Sequence, residues 1–423
     1  MIRTKTYTLK TQSSYPDRLD RKSAFPPLYS KMLRFLFATS FLVFIEPAPY
    51  DLLFALLVAA GVISASITFS SSQSIPLAMT VLFINGNLIS LLFTAPYLDV
   101  SLRFIFITFY LALSWIFLVG LLSRYGWQCT VAIFSGYTIA AVFSACLGLL
   151  AYFRVLPWPN LFLKSGRVAA LFKDPNVYGP FLIPPALLCL SMFESSRRTA
   201  IRFRYVLIFT ILAAGILVSF SRAAWGNLAF SVLIYFLLPP PNSSARRFQT
   251  LVIIGVVALP ALWFLATQPN VYQLFIARLG LQQYDQMRFG TQAESLKRAM
   301  ETPLGIGPGM SMLTFDYSTH SLYIRVLTEN GILGFASLMC LIGFSLVRSI
   351  WQALQEHDYR LYARVVTSSL FGVLLNSFVI DTLHWRHFWL LLALPWVPLG
   401  GPSHEDHSDS NPLRQHRRSS DSR

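Results

Sequence analysis

The chain has 423 residues, of which 54% are hydrophobic and only 13% are charged, and its mean hydropathy is +0.54. Soluble domains carry roughly 25% charged residues, so this composition excludes an ordinary soluble multidomain protein. The formal net charge of +15 does not indicate nucleic-acid binding, because much of it lies at the two ends and in short loops, as orientation signals in membrane proteins do.

The two ends of the chain differ from the rest in composition. Residues 1–30 begin with a basic, polar stretch, and residues 401–423 are polar and poor in apolar side chains. Both are predicted to be disordered cytoplasmic tails. No early apolar segment with a small-residue cleavage site follows the start, so no cleaved signal peptide is predicted.

The four cysteines are widely spaced within apolar segments, at positions Cys129, Cys146, Cys189 and Cys340. This spacing matches neither a metal site nor a disulfide framework. We expect them to be small, buried, hydrophobic side chains.

Repeated apolar runs of about 20 residues predict an all-α, polytopic integral membrane protein with about twelve transmembrane helices. Nine spans occupy residues 31–267 and three occupy residues 329–400. The predicted spans are 31–47, 51–70, 75–95, 100–121, 127–152, 175–193, 204–221, 223–239, 248–267, 329–349, 361–380 and 384–399. The first is the weakest, because its apolar core is short and Pro47 and Pro49 close it.

The distribution of Lys and Arg among the loops predicts the orientation of the chain. With the N-terminus in the cytoplasm, the cytoplasmic loops hold Arg124 and the basic stretches 194–204, 239–247 and 348–360, as the positive-inside rule requires. Omitting the first span would reverse this pattern. Both termini are therefore predicted to be cytoplasmic.

Two loops on the opposite side of the membrane carry basic residues that the rule disfavours there. They are 153–174 and the long segment 268–328. An anionic ligand is one reason to place cations on that face. Within the long segment, 286–303 is predicted to be helical and 305–309 to form a flexible or anion-cradling turn, so we expect short interfacial helices that cap the bundle.

Four stretches resemble motifs of the O-antigen ligase and O-antigen polymerase-like membrane proteins. These stretches are GRVAALFKDPNVYGPFLIPPALL (166–188), SFSRAAWGNLAFSVLIYFLL (219–238), RFGTQAESLKRAMETPLGIGPG (288–309) and TFDYSTHSLYIRVLTENGILGF (314–335). They occur in the family's order, and all lie toward the same predicted face. The resemblance is to the superfamily, since the motifs separate its members poorly.

The resemblance implies glycosyl transfer at the periplasmic face of a bacterial inner membrane, with 268–328 as the periplasmic catalytic loop. The implied donor is a glycan on polyprenyl (undecaprenyl) diphosphate. The implied acceptor is lipid A-core in a ligase or another lipid-linked glycan in a polymerase. No cofactor and no metal are implied, and the other expected contacts are with membrane lipids.

Three arginines in these motifs are candidates for binding the donor diphosphate, namely Arg167, Arg222 and Arg288. A lipid diphosphate gains negative charge as the glycosidic bond breaks, and fixed cations stabilise such a leaving group. Arginine suits this role because its planar guanidinium is always charged and binds phosphate through two donors. The competing interpretations are a snorkelling interfacial arginine for Arg222 and solvated loop charges for the other two.

His320 is the candidate general base, which would take the proton of the acceptor hydroxyl as that oxygen attacks the anomeric carbon. An imidazole near its ordinary pKa of about 6.5 suits this task. The alternative is a structural interfacial histidine. The family commonly has Asn after this histidine and here the residue is Ser321, so Ser321 or Thr319 would have to orient the ring.

Several further residues have both a supporting and a structural interpretation. Asp174 and Asn176 contact substrate or begin a helix, and Arg325 either supports the site or pairs with Glu329 one turn away. Three glycines would let backbone N–H groups approach a phosphate, or form a plain loop, at positions Gly305, Gly307 and Gly309.

Two other groups of residues suggest a metal site. Asp381, His384 and His387 stand close together, although an interfacial aromatic belt explains them better. Glu46 and Asp51 lie in the first outer loop, as acidic residues do in metal-dependent lipid-linked glycosyltransferases, but this loop is short. Outside the enzymes, the alternative is a transporter of an anionic solute, which would carry ionisable residues at the middle of its spans.

Overall fold

The computed structural model describes residues 25–45, 47–95, 97–240, 244–269, 272–273, 276, 280 and 283–398. The fold is all-α apart from one small hairpin. The predicted tails lie outside the described residues, except for 25–30 at the start of the first helix.

The first half of the described chain is a series of helices followed by the hairpin. The elements are α1 (Pro27–Ala38), α2 (Pro49–Ile63), α3 (Ser74–Leu91), α4 (Leu98–Tyr125), α5 (Trp127–Tyr152), β1 (Leu163–Lys164) and β2 (Arg167–Val168). The strands pair antiparallel, with Lys164 opposite Arg167.

The second half contains longer helices and the short ones near the candidate site. These are α6 (Pro175–Ser195), α7 (Thr199–Val218), α8 (Arg222–Leu237), α9 (Ser244–Thr267), α10 (Gln283–Glu301), α11 (Ser311–Thr314), α12 (Leu322–Leu354), α13 (Arg360–Asn376) and α14 (Arg386–Ala393).

Among the described residues, six helices are long and apolar enough to cross a membrane, at Ser71–Leu91, Leu98–Tyr125, Trp127–Tyr152, Pro175–Ser195, Thr199–Val218 and Leu322–Leu354. The first of them includes the 3-10 turn that precedes α3. The apolar helices α2 and α8 are shorter, at 15 and 16 residues. The architecture is therefore that of an all-α, membrane-embedded protein.

The first and last predicted spans differ from the structure. Helix α1 ends at Ala38, and residues 39–45 are not helical. Helix α14 has only 8 residues, and a 3-10 turn at Leu394–Trp396 follows it. Proline has no backbone N–H to continue a helix, and Pro395 lies within that turn. The side chains of α14 are almost fully buried, as in a core helix.

The cysteine prediction is correct for two positions. Cys129 and Cys189 are buried, Cys146 is partly buried, and Cys340 is exposed on α12. None of these four described thiols is in a disulfide.

Helix α6 lies at the centre of the bundle and packs on α5, α7, α8 and α13. It begins with Asp174 as N-cap, whose Oδ1 accepts the N–H of Asn176 at 2.8 Å. Pro175 stands at the first helical position, where its missing N–H costs nothing. This cap fixes the end of α6 that borders the candidate site.

A sharp break between α7 and α8 places Arg222 at the first position of α8. Phe220 adopts a left-handed conformation with φ of 44°. Ser221 then caps α8, because its Oγ accepts the N–H of Ala224 at 3.2 Å. The serine before the arginine thus has a local structural role.

Helix α12 has a kink at Gly331, with φ of 68° and ψ of −172°. The turn at Gly305, with φ of 88°, packs directly against this kink. A Cβ on Gly305 would lie 2.4 Å from the carbonyl oxygen of Glu329. Both positions therefore require glycine for conformation and for space.

Candidate functional site

A cavity of about 690 Å³ lies where β2, α6, α8, α10 and the segments around His320 and Phe378 meet. Its lining residues are Arg167, Asp174, Asn176, Phe220, Arg222, Ala223, Gly226, Asn227, Asp285, Arg288, Phe289, Tyr317, His320, Leu375, Asn376, Phe378, Val379 and Ile380. The three candidate arginines and the candidate base thus share one cavity. Up to 153 positions (320 − 167) separate them in the chain.

Arg167 is held by the elements on either side of it. Its Nε donates to the carbonyl oxygen of Ser219 at 3.1 Å, and its Nη2 donates to Oδ1 of Asn176 at 2.9 Å. The same Oδ1 accepts the hydroxyl of Ser221 at 2.8 Å. Asn176 therefore joins the hairpin, the start of α6 and the start of α8 at the cavity wall.

Arg222 forms an ion pair with Asp285, a residue that the sequence motifs did not indicate. Nη2 of Arg222 lies 2.7 Å and 2.8 Å from the two carboxylate oxygens. Its Nη1 donates to the carbonyl oxygen of Gly280 at 3.3 Å. The Arg222 side chain is 29% exposed and the Asp285 side chain 6%. Asp285 thus orients the guanidinium at the edge of the cavity.

The cavity has more positive than negative charge on its walls. Its lining includes three guanidinium groups, those of Arg167, Arg222 and Arg288, and two carboxylates, those of Asp174 and Asp285. Six larger apolar side chains also line it, those of Phe220, Phe289, Leu375, Phe378, Val379 and Ile380. A cavity of this kind suits a ligand with an anionic group and an adjacent apolar part.

The His320 imidazole is partly buried and lies in the field of Arg288. Burial lowers the pKa of His320 below its ordinary value, and the positive charge of Arg288 lowers it further. Asp381 and Asp174 have smaller, opposing effects on this pKa. The ring is therefore neutral at pH 7, which is the form that accepts a proton.

The segment around His320 is held in place by α10. Nε2 of Gln292 donates to the His320 carbonyl oxygen at 2.9 Å and to the Phe378 carbonyl oxygen at 3.3 Å. The hydroxyls of Ser295 and Thr319 lie 2.7 Å apart. The segment predicted to be helical at 286–303 corresponds to α10, and its buried polar residues position the imidazole.

The two hydroxyls that flank His320 have different surroundings. Thr319 bonds to Ser295. Ser321 is buried and stands before α12, and its side chain makes no capping hydrogen bond. Tyr317 is the ring neighbour of His320, with centroids 5.3 Å apart.

The three candidate glycines do not line this cavity. The N–H of Gly309 donates to Oε2 of Glu329 at 2.8 Å, and the N–H of Ser311 donates to its Oε1 at 3.3 Å. The N–H of Gly307 donates to the Glu329 carbonyl oxygen at 3.0 Å. The backbone N–H groups of this turn therefore bind an anion, which is the Glu329 carboxylate of the same chain.

Arg325 also lies outside the cavity lining. Its Nε lies 3.0 Å from Oε1 of Glu329, and its Nη1 pairs with Asp381. The arginine is 6% exposed, and its guanidinium lies 4.9 Å from the centre of the Phe104 ring. Through these contacts, Arg325 links α12 to the segment after α13.

Three of the residues suggested as metal ligands, Asp51, Asp381 and His384, have other partners, and Asp381 is the one that pairs with Arg325. Asp51 pairs with Arg386 at 2.7 Å and accepts the Tyr110 hydroxyl at 2.8 Å. Nε2 of His384 lies 3.1 Å from the hydroxyl of Thr108. Over the part of the chain that the structure describes, no cluster of three potential ligands is present. Glu46 lies outside the described residues.

Sequence reasoning missed four lining residues with polar side chains, namely Asp285, Tyr317, Asn227 and Asn376. Asp285 stands three positions before Arg288 at the start of α10, so helical spacing pointed to a shared face. Asn227 lies within the motif stretch 219–238 but was not singled out there, and Asn376 lies outside all four stretches. The two residues come to line one cavity only through helix packing. In comparisons with known proteins, no family model and no curated protein matches this chain.

Proposed function

We propose that the protein is a glycosyltransferase of the O-antigen ligase type. It transfers a glycan from polyprenyl diphosphate to an acceptor hydroxyl, such as one on lipid A-core. The observation that carries the proposal is the shared cavity of Arg167, Arg222, Arg288 and His320.

In the proposed reaction, a single displacement occurs at the anomeric carbon of the donor sugar. The acceptor oxygen forms the new bond to this carbon while the bond from the carbon to the diphosphate oxygen breaks, with inversion of configuration. The proton of the acceptor hydroxyl passes to the neutral His320 imidazole. The electron pair of the broken bond stays on the diphosphate, whose charge the guanidinium groups stabilise.

The depressed pKa of His320 supports the role of base, since the imidazole enters the reaction unprotonated. The pairing of Arg222 with Asp285 supports a fixed rather than a mobile cation. Preorganised charges stabilise a transition state without further rearrangement. The apolar lining residues of the cavity suit the part of the donor closest to its lipid.

The proposed topology has about twelve membrane-crossing segments, both termini in the cytoplasm and the cavity facing the periplasm of the bacterial inner membrane. Of these segments, six are the long apolar helices. In this topology, some membrane-crossing segments are interrupted near the periplasmic face. The break at 219–221 and the shorter helices α1, α2 and α8 fit this arrangement. Such breaks are tolerated where backbone is buried in protein or lines a cavity.

A deletion strain tests the function through its glycolipids. We expect long glycan chains to disappear from lipid A-core and lipid-linked polymer to accumulate. Products limited to a single repeat unit would instead indicate the polymerase, which shares the resemblance. Unchanged glycolipids would contradict both and would favour the alternative of a transporter for another anionic solute.

A further inference from the structure

Two buried asparagines form a polar patch in the cavity wall. Asn227 of α8 is 1% exposed and Asn376 of α13 is 2% exposed, and both line the cavity. Across the described ranges, Nδ2 of Asn227 and both amide atoms of Asn376 have no hydrogen-bond partner. Buried amides are nearly always paired, so this wall has bonding capacity that the described protein does not use.

The two asparagines come to one cavity because α8 and α13 pack closely. A Cβ on Gly372 would lie 2.2 Å from Oδ1 of Asn227, and Asn376 follows Gly372 by one helical turn on the same face. The hydroxyl of Ser231 donates to Oδ1 of Asn227 at 3.1 Å. This bond fixes the Asn227 amide and leaves its Nδ2 as a donor.

The bonding pattern of the patch is mixed. It contains two Nδ2 donors and the Oδ1 acceptor of Asn376. An ionised diphosphate only accepts hydrogen bonds and would leave that oxygen unpaired, whereas a sugar hydroxyl or an acetamido group both donates and accepts. The amide of Asn376 can turn to meet such a group, because the terminal torsion of asparagine is broad.

The position of the patch relative to Arg222 fits a sugar beside a diphosphate. Asn227 is five residues after Arg222 on α8, which corresponds to about 7.5 Å along the helix axis. One monosaccharide bridges such a distance. A donor whose diphosphate lies at the guanidinium groups would therefore place its first sugar against the two amides.

We propose that Asn227 and Asn376 form the subsite for the first sugar of the lipid-linked donor and recognise its hydroxyl or acetamido groups. This subsite rests on the proposed function, because it takes the diphosphate position from the three arginines. It adds a determinant of donor specificity that the candidate site residues of the sequence analysis did not include.

The test compares two probes with the full-length protein in lipid nanodiscs. One probe is undecaprenyl diphosphate and the other is undecaprenyl diphosphate carrying a single N-acetylglucosamine. We expect the wild-type protein to bind the sugar-bearing probe roughly tenfold more tightly, as a buried donor or acceptor that gains its partner implies. Asn376→Ala and Asn227→Ala should remove this preference and leave the affinity for undecaprenyl diphosphate unchanged.

The matched control is Asn87→Ala. Asn87 is also a buried asparagine with an unpartnered amide oxygen, but it lies on α3 and is not in the cavity lining. This variant should keep the preference. Asn376→Ser replaces Asn376→Ala if the alanine variant does not remain monodisperse.

The outcomes separate the subsite from the proposed function. Equal wild-type affinity for the two probes, or a preference that survives in both asparagine variants, would overturn the subsite. The subsite would also be wrong if a folded asparagine variant lost affinity for undecaprenyl diphosphate itself, since the amides would then serve the diphosphate. Failure of the wild type to bind either probe would instead count against the proposed function.

Discussion

Helices α6, α8 and α13 have charged side chains near both ends, but the burial and pairing of these charges differ between the two ends. At the end away from the cavity, Arg364 lies 3.0 Å from Glu194, and the Tyr235 hydroxyl donates to the same carboxylate at 2.8 Å. All three side chains are at most 1% exposed. The 21 residues of α6 separate this cluster from the cavity by about 30 Å.

At the cavity end, the charges are neither fully buried nor balanced. The Arg222 side chain is 29% exposed, and three guanidinium groups face two carboxylates. In the far cluster, formed by Arg364, Glu194 and Tyr235, buried groups of opposite charge meet inside the bundle, which joins helices. The cavity keeps an excess of positive charge at an accessible surface, which attracts an anion. The same residue type therefore stabilises the fold at one end and is available for chemistry at the other.

The largest expected effect is on stability, at the far cluster. Arg364→Met removes the cation that lies 3.0 Å from the buried Glu194 carboxylate, and removing one partner of a buried pair costs about 3–5 kcal/mol. Thermal unfolding of the purified protein should show a large destabilisation. Glu194→Leu added to this variant should restore part of the loss, because the buried carboxylate that lost this cation is then also absent.

The control for this prediction is Arg298→Ala. Arg298 and Glu301 form an exposed pair at 3.3 Å, with side chains 47% and 51% exposed, and such pairs contribute roughly 0–1 kcal/mol. A wild-type melting transition for Arg364→Met would show that the far cluster does not hold the helices together.

The next effect is on catalysis. His320→Ala should keep normal abundance and membrane insertion but lose about 10²-fold or more of the transfer rate, because the general base is absent. His357→Ala is the matched control, since its Nε2 bonds to the Gln352 carbonyl oxygen at 2.9 Å, away from the cavity. Normal transfer by a well-expressed His320→Ala variant would rule out the role of base.

Changing the donor arrangement of the Arg222 side chain should have a smaller effect on the transfer rate. Arg222→Lys keeps the charge but loses the planar donor arrangement. We expect the transfer rate to fall by roughly tenfold, which corresponds to the loss of one charge-assisted hydrogen bond. Asp285→Asn should lower kcat more than it raises KM for the donor, because the guanidinium loses the orientation that stabilises the leaving diphosphate in the transition state. Unimpaired transfer by Arg222→Lys would indicate a snorkelling side chain instead.

The smallest effect is a shift in pH dependence. The pKa of His320 is below 6.5, first from burial and then from the charge of Arg288. The transfer rate should therefore be constant around pH 7 and fall only below pH 6.5, where the ring takes up a proton. Arg288→Gln removes a positive charge that lowers this pKa. The acid limb of this variant's pH–rate profile should therefore move to higher pH. An unchanged limb, measured at saturating donor, would show that Arg288 and His320 do not interact.

Local sequence signals predicted the class of fold and several elements well. The predicted span 127–152 coincides with α5, because an apolar run and its flanking breaks are properties of a single segment. The motif residues Arg167, Arg222, Arg288 and His320 were expected to meet, and they do line one cavity. That expectation came from the family resemblance, since no local rule relates residues so far apart in the chain.

Through its apolar runs, the sequence by itself determined an all-α, membrane-embedded chain, and through its glycines it determined where the backbone turns. Only the tertiary structure decided that Glu329 occupies the glycine turn, that Asp285 pairs with Arg222, and that α14 is a buried core helix. The physical reason is that helix formation depends on neighbouring residues, whereas the partner of a charge depends on the register of helices distant in sequence.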